Sequence, residues 1–125
     1  MSTRDLQIQE GICRFHPTGE CTLVEAVEMI ANAIAHCRDR RVSRLLVNAT
    51  GLVGVPIPTL VDRFLMAEEW AHQARSAVVV ALVVPTEYIH PKKFGVRVAA
   101  DFGLVTDVYT SETDALKWLA RYAVK

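Results

Sequence analysis

The chain has little that would commit it to a reaction or to a charged partner. Its 14 Lys and Arg balance 14 Asp and Glu, so the formal net charge is zero. Nucleic-acid binders usually carry a basic excess over a defined face, so nucleic acid is not an expected partner. Cysteine is scarce: 3 residues, with no C-x-x-C pair. An odd count without paired spacing suits a reducing compartment rather than a disulfide framework. The apolar run AVVVALVV at 77–84 is far shorter than the ~20 residues of a membrane span. The opening MSTRDLQ lacks the apolar core of a secretory signal, and a cytoplasmic location is the expectation. His16, His36, His72 and His90 show neither i,i+4 pairing nor cysteine-partner spacing. No metal site and no cofactor are therefore expected. Cys21 stands just before a helix start, where a thiolate is favoured, but no general base is assignable beside it. No nucleophile–base set is readable elsewhere, so catalytic residues are expected to be none and the chain is not read as an enzyme.

What is present is core material. The sequence is 51% apolar over 125 residues, enough for one domain covering 1–125. Period-two alternation at 6–9 and 12–15 predicts two short strands joined at Gly11. Thr22 and Glu25 have capping-box spacing. Leu23, Val27, Ile30, Ile34 and Cys37 then form the inner stripe of an amphipathic helix, closed by Arg38, Arg40 and Arg41. A strand at 45–49, a loop at 51–58 and a helix at about 59–75 follow. Leu60, Phe64, Ala67, Ala71 and Ala74 are the predicted inner stripe of that second helix. The β-branched run at 77–84 suits a strand covered on both faces. Pro91 opens a third helix stopped by Gly103, and a strand at 105–109 leads through the Ser111 cap into a last helix. The order β-β-α-β-α-β-α-β-α predicts a single layered α/β domain, with a mixed five-stranded sheet whose centre is parallel.

The segment RLLVNATGLVG at 44–54 is the most informative. An apolar strand runs straight into a glycine-broken turn, the corner of an α/β sheet where ligands and partners dock. Leu52, Val53, Val55 and Ile57 are too apolar for a freely solvated loop. Thr50, Gly51, Leu52, Val53, Ile57 and Thr59 are therefore candidate partner- or ligand-binding residues. Met66 and Trp70 lie beside the main stripe of the second helix and join them. They widen its apolar face enough to suggest a homodimer, which reuses one patch twice. Packing against a neighbouring helix explains the same two residues equally well. An apolar small molecule, such as a lipid tail held under the loop, is the alternative use of the corner. The hydroxyls of Thr50 and Thr59 serve as turn or helix caps on the plainest reading.

Several segments together resemble the STAS family (sulfate transporter and anti-sigma factor antagonist). They are the strand pair leading into 22–40, RLLVNATGL at 44–52, the run at 77–84 and VYTSETDALKWL at 108–119. The chain is most similar to the branch described by stage II sporulation protein AA, and the likeness covers nearly its whole length. The resemblance implies a non-enzymatic regulatory or binding module with a protein partner. In anti-sigma antagonists a serine opening the helix after the middle strand is phosphorylated by a partner kinase, which turns partner binding off. This chain departs from that pattern in two places. Asn48 stands where the family usually has aspartate. GVPIPT at 54–59 puts a proline where the phosphoacceptor falls, leaving Thr59 as the nearest candidate hydroxyl. The expectation is a module without the usual phosphoserine switch.

Overall fold

The computed structural model describes residues 6–122. Most of the N-terminal stretch read for a signal core, and the last three residues, lie outside them. Strands β1 (Leu6–Gln9) and β2 (Ile12–Phe15) form an antiparallel hairpin. Its two-residue turn places Glu10 and Gly11 at φ 54° and 77°, the left-handed pair that matches strand twist. A two-residue strand β3 (Gly19–Glu20) precedes helix α1 (Leu23–Asp39), which opens on the expected Thr22–Glu25 capping box. Then follow β4 (Arg44–Asn48), β5 (Leu52–Val53), α2 (Leu60–Ala74), β6 (Val79–Val83), α3 (Phe94–Asp101), β7 (Thr106–Tyr109) and α4 (Glu112–Leu119).

The main sheet has the order β1-β2-β4-β6-β7, parallel throughout except for the β1–β2 hairpin. This is the expected mixed α/β sheet. Strand alternation sorts its side chains into two faces. Cys13, Phe15, Leu45, Val47 and Val80 point to one face and pack with buried residues of α1, α2 and α3. Leu46, Ala81 and Val83 point to the other and meet Ala115 and Leu119 of α4. The loops after β2, β4, β6 and β7 all leave from one edge of the sheet, which is where a site is expected in such folds.

Three local readings differ from the sequence expectation. Helix α3 begins at Phe94, not at Pro91. The Lys93 amide closes a turn on the His90 carbonyl at 2.8 Å, and Lys93 adopts φ 50°, so the proline sits in a turn. The two-residue strands β3 and β5, a separate parallel pair, are too short to leave a periodic signature. The third difference concerns α2. Its buried residues are Ala67, Trp70, Ala71 and Ala74, while Leu60 and Phe64 of the predicted stripe are exposed. The helix is turned by roughly half of the 100° between successive residues, which brings Trp70 and Met66 inward. Trp70 has the largest apolar surface of the helix, so its burial outweighs that of leucine or phenylalanine.

Candidate binding site

The glycine-broken corner is pinned by backbone rather than left loose. Gly19 N–H donates to the Gly51 carbonyl at 3.1 Å, and Cys21 N–H donates to that of Val53 at 3.1 Å. A Cβ at Gly51 would stand 2.8 Å from Thr18 Cγ2 and 3.1 Å from the Pro17 carbonyl oxygen. Only glycine lets the two segments approach this closely. Held there, Leu52 is half-buried, whereas Val53 and Ile57 project outward, and so do Val61 and Leu65 of α2, 68% and 54% exposed. The outward face of α2 is thus apolar over its first two turns and polar beyond, where Glu68, Glu69 and His72 follow. Phe64 packs edge-on against Phe102 just after α3, with ring centroids 5.5 Å apart. Leu65 shares a shallow groove with Val24 of α1, whose charged residues are Glu28, Asp62 and Glu69. The exposed apolar start of α2 thus lies between Val24 of α1 and Phe102 beyond α3, bordered on the α1 side by carboxylates. Sequence reasoning missed Val61, and it assigned Leu60 and Phe64 to the core.

Trp70 does not belong to that surface, and Met66 reaches it only at the groove beside Leu65. Trp70 is only 7% exposed, and its indole N–H donates to the Val27 carbonyl at 3.1 Å. Both residues line a cavity of about 130 Å³ between α1, α2, α3 and the β6–β7 part of the sheet. Packing against neighbouring helices, the second explanation for this pair, is the arrangement found. The 51–58 loop reaches the cavity through Val55 and Pro58. The Tyr88 hydroxyl donates to the Val55 carbonyl and ties the loop down. The candidate residues are thus divided between two surfaces. Val53 and Ile57 are exposed in the segment before α2, Trp70 lines the cavity, Met66 lines both the cavity and the groove beside Leu65, and Thr50, Gly51 and Thr59 shape the backbone between them.

The polar candidates have structural partners. Thr59 Oγ1 accepts from the Asp62 amide at 3.1 Å, and Asp62 returns the bond to the Thr59 amide at 2.9 Å. A phosphate on Thr59 would therefore face a carboxylate across the capping box, a like-charge contact at an otherwise favourable helix start. Thr50 donates its hydroxyl to Asn48 Oδ1 at 2.6 Å. Asn48 Nδ2 donates to Glu112 Oε2 at 2.8 Å, and Arg14 holds Oε1 of the same carboxylate at 2.8 Å. This cluster joins β2, β4 and the first turn of α4.

The environments of Cys21 and Cys37 do not favour thiolates, whereas the hydrogen bond shared with Cys37 shifts Cys13 the other way. Burial, with Glu25 beside it, pushes the Cys21 thiol up, so the favoured thiolate read from the sequence is reversed. Cys37 is driven well above its ordinary range by the hydrogen bond it shares with Cys13, and by burial. Among the described residues no three His, Cys, Asp or Glu side chains converge to hold a metal, and no helix is long and apolar enough to cross a membrane.

Tyr109 offers a pH signature. Burial, then the charge of Asp107 and the hydrogen bond to it, push its phenol up to about 12 from 10.0. The folded state therefore keeps a proton that the unfolded chain loses, and stability falls as pH rises from about 10 through about 12. Tyr109→Phe is expected to flatten that alkaline decline and to remove the last step of a phenolate absorbance titration. No protein-family model matches the chain, and no curated protein matches it either.

Proposed function

We propose that this chain is a non-enzymatic, cytoplasmic binding module built in the manner of a STAS domain, acting by docking protein surfaces through the ridge of Val53, Ile57, Leu60, Val61, Phe64 and Leu65. The observation that carries this reading is the outward apolar face at the start of α2, set beside the pinned corner. A lone domain rarely exposes so continuous an apolar strip unless something covers it. The partner of choice is a second copy of the chain, because the strip itself is uncharged and a two-fold contact uses it twice. Twelve such side chains, six from each copy and half exposed, contribute about 1 kcal/mol apiece on burial. Set against an association cost of about 4–15 kcal/mol, that gives a dimer no tighter than about micromolar.

The test is the oligomeric state of the Val61→Asp, Leu65→Asp double variant. Both side chains face solvent, so circular dichroism should remain unchanged while the dimer fraction vanishes from the sedimentation profile. The acidic border of Glu28, Asp62 and Glu69 adds a second expectation. Raising ionic strength should strengthen self-association, because mutual repulsion of these carboxylates is screened. Undiminished association of the double variant would refute the ridge as the docking surface.

A second reading, capture of a small apolar molecule, is favoured by the partly open cavity beneath the loop. The volume of about 130 Å³ lies below the roughly 300–1,000 Å³ of pockets that hold drug-sized ligands.

A further inference from the structure

The cavity is close in size to one known kind of occupant. An apolar cavity of roughly 150 Å³ takes up benzene, and this one, partly open to solvent, measures about 130 Å³. Its deep wall is apolar: Ile30, Met66, Trp70, Val84, Val96 and Ala99. An apolar body of about six carbons fills such a space, and nucleotides, coenzymes and diacyl lipids are too large for it.

The charged side chains on the wall are of one sign. Arg63 and Lys93 line the cavity beside the imidazole of His90, and no aspartate or glutamate does. Lys93 is already engaged, since its Nζ lies 2.6 Å from Asp107 Oδ1 and above the Tyr109 ring. Arg63 is not: among the described residues it forms no ion pair. One guanidinium nitrogen donates to the Tyr88 carbonyl at 3.0 Å. That bond fixes the fork and leaves its other donors free for a planar anion. His90 Nδ1 accepts from the Lys92 amide at 3.1 Å, so the neutral ring carries its proton on Nε2 as a further donor. Tyr88 connects these features, because its carbonyl positions Arg63 while its hydroxyl holds the loop at Val55.

We infer that the cavity binds a small monocarboxylic acid with a six-carbon apolar body, its ring or short chain against Trp70 and Ile30 and its carboxylate on Arg63, assisted by His90. The inference rests on the reading of the cavity as a pocket and is independent of docking at the ridge.

Calorimetric titration of the full chain with benzoate, and separately with the neutral isostere toluene, tests both levels. Benzoate should bind, and toluene should bind about tenfold more weakly, because a charge-assisted bond to a fixed guanidinium adds at least that factor. Arg63→Met keeps the side-chain length and removes the charge. It should reduce benzoate affinity by about tenfold or more and leave toluene binding unaltered, and Arg63→Lys should restore part of the loss. Ala99→Leu, which fills the deep end, should abolish binding of both probes, with chemical shifts of the folded variant confirming that its sheet is intact. Equal binding of the two probes, or indifference of benzoate to Arg63→Met, overturns the carboxylate assignment while the pocket reading stands. Failure of both probes to bind the unmodified chain overturns the pocket itself.

Discussion

Trp70→Ala is expected to destabilise the protein by about 3–5 kcal/mol, the range for truncating a buried aromatic side chain. Trp70 is 7% exposed in the middle of α2, the helix packed between α1 and α3. Truncation removes its contacts with the main core and extends the adjacent cavity. The surrounding sheet and helices cannot close in to fill the space, so the cavity term adds to the lost transfer energy. It also leaves the Val27 carbonyl, which accepts from the indole N–H at 3.1 Å, without that partner. Trp70→Phe separates the two contributions. It retains most of the apolar volume and loses the hydrogen bond, so its cost should stay nearer 1–2 kcal/mol. The measurement is the urea midpoint at constant slope. A Trp70→Ala cost below about 1 kcal/mol would mean that this side chain is not enclosed.

Asn48→Asp is expected to cost about 2 kcal/mol at neutral pH, within the 1–3 kcal/mol range for a buried or half-buried polar partner turned against its neighbour. Asn48 supplies both a donor and an acceptor. Its amide nitrogen donates to Glu112 at 2.8 Å while its oxygen accepts from the Thr50 amide at 3.0 Å and hydroxyl at 2.6 Å. Aspartate can do only the second when ionised, and it would set one carboxylate against another. The two would then share a proton at a raised apparent pKa. A raised carboxyl pKa means that the folded state binds more protons than the unfolded chain. The variant should therefore regain stability as pH falls through that pKa, opposite to ordinary acid denaturation. Glu112→Gln in the same background should relieve most of the cost at neutral pH. A melting temperature unchanged by Asn48→Asp at neutral pH would contradict the cluster.

The elements were legible where a long period carried them. The 4-3-4-3 stripe of α1, the capping-box spacing at Thr22, the helix cap at Thr59 and the β-branched run around β6 each found the structure they indicated. The mixed sheet with its parallel centre followed from the alternation of strands and helices, whereas the order of the strands in it came from the structure. The facing of α2 was not legible, because Leu60, Val61, Phe64, Leu65, Met66 and Trp70 together spread apolar side chains over more than half its circumference. Periodicity alone cannot choose which part of such a helix faces inward. The buried volume of tryptophan decided it, and the displaced residues became the exposed ridge. The corner at 50–59 was recognisable as a special place from its glycines and its apolar loop, yet its pinning by β3 was not. Nor could spacing reveal the basic lining of the cavity, since Arg63, His90 and Lys93 come from two separate segments brought together only by packing.

The central claim, that the apolar start of α2 is a docking surface covered by a second copy, is tested most directly by sedimentation equilibrium of the unmodified protein over a wide concentration range. The account expects the mass to rise from that of a 13.9 kDa protomer toward twice that value, with a midpoint at about micromolar or higher concentration, and to rise earlier at high salt. A mass that stays at 13.9 kDa up to millimolar protein, at low and high ionic strength alike, would contradict it.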